Sequence, residues 1–220
     1  MAKQVCWGIL GAGSIANAFA DGVTRSQTGR LVAVGSRTQA KADAFAAKWG
    51  GSRAHGSYEA LLADPEVQAV YVATPHPMHP EWAIKAAEAG KHVLVEKPAA
   101  INAYLAQTML NAAAENGVFL MEAFMYRCHP QTARLVELLR DKVIGDVAVV
   151  QATFAFHAGF APESRLWKNA LGGGGILDVG GYTTSIARLI AGAATGRPFA
   201  NPVAVTGAGW LHPETSVDGW

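Results

Sequence analysis

Between residue 4 and about residue 121, short apolar runs rich in β-branched residues alternate with longer, Ala-rich segments whose apolar residues recur at helical spacing. Such a succession is typical of βαβ units on a parallel sheet with helices on both faces. We therefore predict a doubly wound α/β domain. Its strands are predicted at Gln4–Leu10, Leu31–Ser36, Ala69–Ala73, His92–Glu96 and Val118–Met121, with a weaker one at Arg53 and Ala54. Its helices are predicted at Ile15–Thr24, Gln39–Trp49, Pro80–Ala89 and Ala103–Asn116.

The pattern changes after Met121 and predicts a second domain. The remaining elements are predicted as a helix at Gln131–Arg140, a long strand at Asp146–Phe156, a helix that opens with glycines near Ile176, and a strand at Val203–Ala208. We therefore expect one domain over residues 1–123 and a second, incomplete α/β or α+β domain over residues 124–220.

Composition narrows the kind of partner. With 50% hydrophobic residues, 16% charged residues and a net charge of +1, the chain is predicted to be globular, and it offers no basic block for nucleic acid or an anionic membrane. No apolar run reaches membrane-spanning length, and Cys6 and Cys128 are expected to be free thiols in a cytoplasmic protein. The 7 histidines show no metal-binding spacing, so no metal is predicted. A small molecule is the expected ligand.

A glycine motif follows the first predicted strand and opens the first predicted helix. The stretch Gly11-Ala12-Gly13-Ser14-Ile15-Ala16 is the Gly-x-Gly-x-x-Ala form of the dinucleotide fingerprint of a Rossmann domain. In it Gly11 permits the tight turn, Gly13 admits the pyrophosphate, and Ala16 allows the helix to pack closely, while Ser14 and Ile15 lie at the positive helix end. A simple strand-to-helix turn is the alternative interpretation.

The end of the second predicted strand bears on the choice between NAD and NADP. An acidic residue there would bind the ribose 2′-hydroxyl of NAD. This chain instead has Ser36-Arg37-Thr38 and no carboxylate before Asp43. A guanidinium flanked by hydroxyls suits a 2′-phosphate, so NADP is predicted and NAD remains possible. An ordinary surface arginine is the alternative interpretation of Arg37.

Two further stretches are candidates for the chemistry. Glu96-Lys97-Pro98 ends a predicted parallel strand, where ligands bind in open α/β sheets. Asp178 and Tyr182 follow a run of four glycines and share one face if a helix begins near Ile176. Glycines at 180 and 181 would weaken that helix, which indicates either a docked ligand or tight packing.

Together these motifs resemble the glucose-fructose oxidoreductase, inositol dehydrogenase and rhizopine-catabolism (Gfo/Idh/MocA) family. The matching stretches are Gly11–Ala16, Ala73–Pro75, Ala89–Pro98, Met121–Arg127 and Asp178–Tyr182. Tyr182, where many members carry His, is similar to the branch that contains dimeric dihydrodiol dehydrogenase and xylose dehydrogenase. The resemblance implies a C-terminally truncated chain, because relatives continue for roughly a hundred residues through a sheet that forms a homodimer.

The resemblance also implies a reaction and a set of site residues. A hydride would pass between nicotinamide and a CH–OH group of a sugar or cyclic diol, with Tyr182 exchanging the hydroxyl proton. Because a free phenol has a pKa of about 10, Lys97 would supply the charge that lowers it. Asp178 would orient Lys97 or bind a second substrate hydroxyl. The resemblance adds further cofactor contacts at Thr74, Pro75, His79, Glu96 and Lys97. A non-catalytic NADP-binding protein and a carbonyl reductase on the same fold are the alternatives.

Overall fold

The computed structural model describes residues 4–50 and 52–219 and consists of two compact units, the first ending at Ala123 and the second beginning at Phe124. The first unit is built around a single six-stranded sheet. Its strands are β1 (Val5–Leu10), β2 (Gly29–Gly35), β3 (Arg53–His55), β4 (Ala69–Val72), β5 (His92–Val95) and β6 (Leu120–Glu122). Its helices are α1 (Ser14–Thr24), α2 (Gln39–Lys48), α3 (Tyr58–Leu62), α4 (His79–Glu88) and α5 (Ala103–Glu115).

The sheet is parallel throughout, with the strand order β3-β2-β1-β4-β5-β6. This order is that of a Rossmann domain and confirms the predicted doubly wound fold. Side chains that follow one another along β1 enter different cores: Ile9 packs with Val34 and Ala16, whereas Leu10 packs with residues of the opposite face. Such alternation is what a sheet covered on both faces requires.

In the part of the second unit that the structure describes, almost all regular secondary structure is helical. Its two longer helices are α6 (Pro130–Arg140) and α7 (Gly181–Ala194). Single turns of 3-10 helix lie at Met125–Cys128 and Asn169–Leu171, and a π-helical turn at Ile176–Gly180 runs directly into α7. Its only β pairing within residues 124–219 is one antiparallel bridge between Leu211 and Asp218.

The two strands predicted for the second unit are therefore wrong. Residues 146–156 and 203–208 form no strand and no bridge, and an apolar run becomes a strand only when its N–H and C=O groups pair with a neighbouring backbone. Their apolar side chains, such as Val149, Phe154 and Val203, are exposed. The helix predicted to open with glycines near Ile176 is present, but its first five residues form the π turn and the α-helix begins only at Gly181.

In the first unit the sequence missed the helix α3 and the 3-10 turn at His76–Met78, and it misplaced other element ends by one or two residues. The short helix α3 has only five residues, too few for a visible helical period, and Ser57 caps it by accepting a hydrogen bond from the Ala60 N–H (3.1 Å). Both cysteines are free thiols, as predicted. No helix in the described residues is long and apolar enough to cross a membrane. Those residues also contain no cluster of three or more His, Cys, Asp or Glu side chains that could hold a metal ion.

Candidate cofactor and catalytic site

The carboxyl ends of the central strands bring several predicted site residues to one edge of the sheet. Gly11 follows β1, Thr74 follows β4, and Glu96 follows β5. Backbone hydrogen bonds fix these ends: the Gly11 N–H donates to Gly35 O (2.9 Å) and the Glu96 N–H to Val72 O (3.0 Å). We call this border of the sheet the carboxyl edge. In open α/β sheets it is the edge that binds ligands.

The two fingerprint glycines meet different requirements. Gly11 has a φ of 107°, and a Cβ there would lie 2.8 Å from Ala73 O, so the backbone itself demands glycine. Gly13, which precedes α1, would place a Cβ in open space. Glycine at 13 is thus not needed for folding, and it leaves room for a group that packs against the backbone.

The start of α1 suits an anion. Gly13 has no side chain to cap the helix, and Ser14 and Ile15 are exposed, so the first amides have no side-chain acceptor from the N-cap. Ala16 is fully buried in the core against Ile9, which holds the helix close to the sheet. The positive end of an 11-residue helix therefore faces the space that Gly13 leaves open.

Ser36, Arg37 and Thr38 lie between β2 and α2. Ser36 is buried, with its N–H donating to His55 O (3.0 Å), while Arg37 and Thr38 are exposed. Thr38 is the N-cap of α2, but its hydroxyl makes no capping hydrogen bond. Burial raises the pKa of Tyr58, and the charge of Arg37 acts against that rise. A guanidinium, a hydroxyl and a helix N-terminus thus share one exposed turn.

Thr74 presents an unsatisfied polar atom at the carboxyl edge. Its side chain is buried, and Oγ1 has no hydrogen-bond partner among residues 4–50 and 52–219. A buried hydroxyl without a partner costs about 1–3 kcal/mol unless a ligand or water satisfies it. Pro75 follows and leads into a 3-10 turn at His76–Met78. Together with the open space at Gly13, this hydroxyl fits a polar ligand such as a dinucleotide.

His79 lies beneath this edge rather than on its surface. Its side chain is fully buried, with Nδ1 2.8 Å from Pro98 O and Nε2 2.8 Å from Thr74 O. Burial lowers the pKa of His79, although both carbonyls and the charge of Glu96 oppose the shift. The ring ties the segment after β4 to the segment after β5. This placement favours a supporting role over the direct cofactor contact expected from the sequence.

Glu96 and Lys97 form a half-buried turn held by side chains. The Tyr71 hydroxyl donates to Glu96 Oε1, and Glu96 Oε2 accepts from the Lys97 N–H (3.1 Å). The Ala99 N–H donates to Glu122 Oε1 (2.8 Å). Neither Tyr71 nor Glu122 was given a role at the site from the sequence, although Glu122 lies in the Met121–Arg127 stretch that resembles the family. The signals that could have found them are one hydroxyl in the apolar strand β4 and one carboxylate at the end of β6.

In the second unit, Asp178 is buried within the π turn. Its Oδ1 accepts a hydrogen bond from Arg165 Nη1 (3.0 Å), an ion pair that the sequence did not predict because Arg165 lies in an irregular segment. π turns inside helices occur frequently at functional sites. The structure thus gives the predicted site carboxylate a cationic partner of its own unit.

Tyr182 lies at the second residue of α7, within a group of aromatic rings. Ring centroids of Phe124, Phe154 and Tyr126 lie 5.4, 5.3 and 6.2 Å from that of Tyr182. The Tyr182 hydroxyl donates to the Met125 sulfur at 3.5 Å. The phenol is therefore oriented by packing against aromatic rings.

In the second unit the fold needs glycine at Gly174 rather than at Gly180 or Gly181. At Gly180 and Gly181 an added Cβ would meet only ordinary contacts, the nearest at 3.5 and 3.7 Å. At Gly174, where φ is 105°, it would lie 2.0 Å from Asp218 Oδ1. Asp218 Oδ2 accepts a hydrogen bond from the Ile176 N–H (2.6 Å), so this carboxylate caps the π turn. The absence of a side chain at Gly174 thus lets the Asp218 carboxylate come close enough to cap the π turn.

A cavity of about 290 Å³ lies beside Asp178 within the second unit. Phe154, Phe156 and Trp167 form part of its wall, and Trp167 Nε1 is turned to Gly159 O (2.9 Å). Ligand sites are commonly apolar clefts with a few polar groups that fix orientation. This cavity has that character, with Asp178 and Asp218 as its charged lining residues.

Family models match both units. Residues 5–124 match the model described as "Oxidoreductase family, NAD-binding Rossmann fold", and residues 132–218 match the "GFO/IDH/MocA C-terminal domain".

Curated relatives and solved structures agree with these matches. Trans-1,2-dihydrobenzene-1,2-diol dehydrogenase of Mus musculus is 39% identical over 214 residues, which cover 96% of this chain and 62% of the relative. D-xylose 1-dehydrogenase (NADP(+)) 2 of Haloferax volcanii is 39% identical over 186 residues, 84% of this chain and 57% of the relative. A crystal structure of a 3-ketoreductase from Actinomadura kijaniata with NADP and TDP-benzene has a TM-score of 0.73 and 31% identity, covering 86% of this chain and 57% of that one. The chain thus spans about three-fifths of the length of these relatives.

Proposed function

Because the chain belongs to the Gfo/Idh/MocA oxidoreductase family, we propose that the protein transfers a hydride between NADP and a CH–OH group of a sugar or cyclic diol. Its first unit is a nicotinamide dinucleotide-binding Rossmann domain. The observation that carries the proposal is the carboxyl edge, where the space at Gly13, the unsatisfied Thr74 hydroxyl and the Lys97 turn lie at the ends of neighbouring strands.

The preference for NADP rests on the turn after β2. Arg37 and Thr38 are exposed there beside the N-terminus of α2. The nearest following carboxylate, Asp43, already accepts a hydrogen bond from Gln39 (2.8 Å). The Haloferax volcanii relative is named as an NADP-dependent enzyme, and the Actinomadura kijaniata structure contains NADP. These observations support a 2′-phosphate at Arg37.

The proton transfer is assigned to Tyr182. When bound, the nicotinamide ring accepts or donates the hydride. Oxidation of an alcohol also releases a proton, which Tyr182 takes as a phenolate and returns during reduction. Tyr182 lies near the start of α7, among the aromatic rings that orient its phenol. The family resemblance assigns to Lys97 the positive charge that the phenolate needs.

Substrate binding is assigned to the cavity beside Asp178. A buried carboxylate paired with Arg165 accepts hydrogen bonds from hydroxyl groups, and the rings of Phe154 and Trp167 cover the apolar face of a sugar or a cyclic diol.

A matched pair of tyrosine variants tests this function. With NADP and a panel of aldoses and cyclic diols, Tyr182→Phe should reduce turnover by about 10²- to 10⁴-fold, the usual loss for a general acid/base, and leave NADPH affinity unchanged. The control is Tyr126→Phe, because Tyr126 belongs to the same ring group and its hydroxyl bonds only to Ser185 among the described contacts (2.8 Å).

Near-normal turnover of Tyr182→Phe would remove Tyr182 from the reaction. Tight NADPH binding without turnover of any panel member by the unmutated protein would replace the enzyme assignment with a cofactor-binding module.

A further inference from the structure

The turn from Lys97 to Ala99 is held in place by side chains. The Lys97 N–H donates to Glu96, the Pro98 carbonyl faces the His79 ring, and the Ala99 N–H donates to Glu122. None of these contacts belongs to the β ladder, which ends at Val95 on this strand. The conformation of the Lys97 turn therefore depends on the preceding Glu96, on β6 and on α4.

Glu122 is the least expected of these groups. It ends β6 opposite Val95, and the Ala123 N–H continues the pairing by donating to Val95 O (2.8 Å), so the sheet does not need a carboxyl side chain at this position. The side chain is half-buried. Burial raises the pKa of Glu122, and although the Ala99 N–H opposes this rise, the charge of Glu96 adds to it.

A carboxyl group in this place costs stability, because burial and a neighbouring carboxylate both disfavour its ionised form. Its hydrogen bond from the Ala99 N–H joins it to the turn that carries Lys97. Because this carboxyl group is unfavourable for folding, its presence is better explained by its contact with the Lys97 turn than by a need of the sheet.

We propose that Glu122 is a positioning residue for Lys97, because its Oε1 fixes the Lys97–Ala99 turn by accepting the Ala99 N–H. Glu96, itself held by the Tyr71 hydroxyl, fixes the other side of the turn. The functional part of this inference rests on the role of Lys97 in the proposed hydride transfer. A shift of about 1 Å in a reacting group can cost up to about 100-fold in rate, so a loosened turn is expected to lower kcat.

Two substitutions at Glu122 separate positioning from folding. Glu122→Gln keeps an oxygen acceptor for Ala99, and Glu122→Met keeps the volume but removes the acceptor. In the full chain with saturating NADPH, Glu122→Met should lower kcat about 10- to 100-fold with KM and NADPH affinity within about threefold, and Glu122→Gln should retain kcat within about threefold. Amide exchange of the peptide that contains Ala99 should accelerate in Glu122→Met and not in Glu122→Gln. If Glu122→Met does not fold, Glu122→Asp, which is too short to reach Ala99, is expected to behave in the same way.

The matched control is Glu66→Met. Glu66 also accepts hydrogen bonds, from Arg53 and Arg30, but far along the chain from Lys97 and before β4. Its loss should lower the melting temperature and leave kcat of the folded protein unchanged. Equal kcat for Glu122→Met and the unmutated chain, or equal losses for Glu122→Met and Glu122→Gln, would overturn the proposal.

The exchange measurement separates this inference from the proposed function. If Lys97→Ala is fully active, the proposed role of Lys97 fails, and positioning by Glu122 loses its functional meaning even when exchange at Ala99 responds as expected. If Lys97→Ala is inactive while Glu122→Met leaves the amide exchange rate at Ala99 unchanged, the proposed function stands and the positioning inference fails.

Discussion

The two edges of the same parallel sheet differ in how their buried charged groups are paired. Before β4, Asp64 is buried and accepts hydrogen bonds from Arg53 (2.7 and 2.9 Å), from His55 (3.0 Å) and from the Glu66 N–H (3.0 Å). Lys91 Nζ donates to Asp64 O (2.9 Å) and Val67 O (2.8 Å). We call this border, where the strands begin, the amino edge. Its buried charges are paired or hydrogen-bonded.

At the carboxyl edge, by contrast, a buried hydroxyl and a carboxylate lack such compensating partners in the described part of the chain. Thr74 Oγ1 has no partner among the described residues, and Glu122 is half-buried near another carboxylate. Burial acts to raise the pKa of Asp64 as well, but hydrogen bonds from Arg53, Glu66 and His55 outweigh it and lower that pKa to about 2, whereas the pKa of Glu122 is raised. The buried charges of the amino edge are thus paired or hydrogen-bonded, whereas the carboxyl edge keeps an unsatisfied hydroxyl and two neighbouring carboxylates, which supports our proposal that a ligand binds there.

The largest effect is expected from Gly13→Ala, a change at the carboxyl edge that should weaken cofactor binding without weakening the fold. Gly13→Ala adds a Cβ that meets nothing in the protein but enters the space assigned to the pyrophosphate. Overpacking costs about 1–3 kcal/mol, so NADPH affinity should fall by up to about 100-fold with the melting temperature nearly unchanged. Fluorescence titration and thermal unfolding measure the two quantities.

The control for that variant is Gly22→Ala. Gly22 lies in α1 and also has open space at the Cβ position. This change should leave NADPH affinity intact and stabilise the helix by about 0.5–1 kcal/mol. Equal NADPH affinity in Gly13→Ala and Gly22→Ala would remove the pyrophosphate from the start of α1.

At the amino edge we expect the opposite result from Asp64→Asn, which should lower stability and leave NADPH affinity unchanged. Because the folded pKa of Asp64 lies below its ordinary 3.8, its contribution is fully present above about pH 3.8 and is lost as the pH falls through about 2. A shift of this size corresponds to about 2 kcal/mol at neutral pH. Urea unfolding at pH 7 and pH 3 measures it, and an equal difference between the two proteins at both values would contradict the assignment.

A smaller effect is expected at Arg37. Arg37→Ala should weaken NADPH by about tenfold, the value of a charge-assisted hydrogen bond at an exposed site, while NADH affinity changes little. Lys41→Ala, a nearby exposed cation on α2, serves as the control. Equal dissociation constants for NADPH and NADH in the unmutated protein would show that Arg37 does not select the 2′-phosphate.

The comparison of the two edges also shows what a sequence can reveal. Strands β1, β4 and β5 were predictable because a strand buried on both faces is a continuous apolar run, and Gly11 was predictable because only glycine adopts its φ of 107° beside Ala73. The carboxyl edge followed from these strands, since ligand-binding turns come directly after them.

Other features depend on contacts between distant residues. Residues 146–156 are apolar enough for a strand, but a strand exists only with a neighbour, and periodicity does not report neighbours. The Arg165–Asp178 pair and the Glu122–Ala99 hydrogen bond join residues 13 and 23 positions apart, with no local pattern to mark them. The π turn at Ile176–Gly180 has the composition of an α-helix start.

Hydrogen exchange with and without saturating NADPH tests most directly whether the cofactor binds at the carboxyl edge. We expect NADPH to protect peptides that cover residues 11–16, 36–39 and 73–79, and to leave the amino-edge peptide at 63–68 unchanged. Protection confined to 63–68, or unchanged exchange at all three carboxyl-edge peptides while fluorescence shows bound NADPH, would contradict the account.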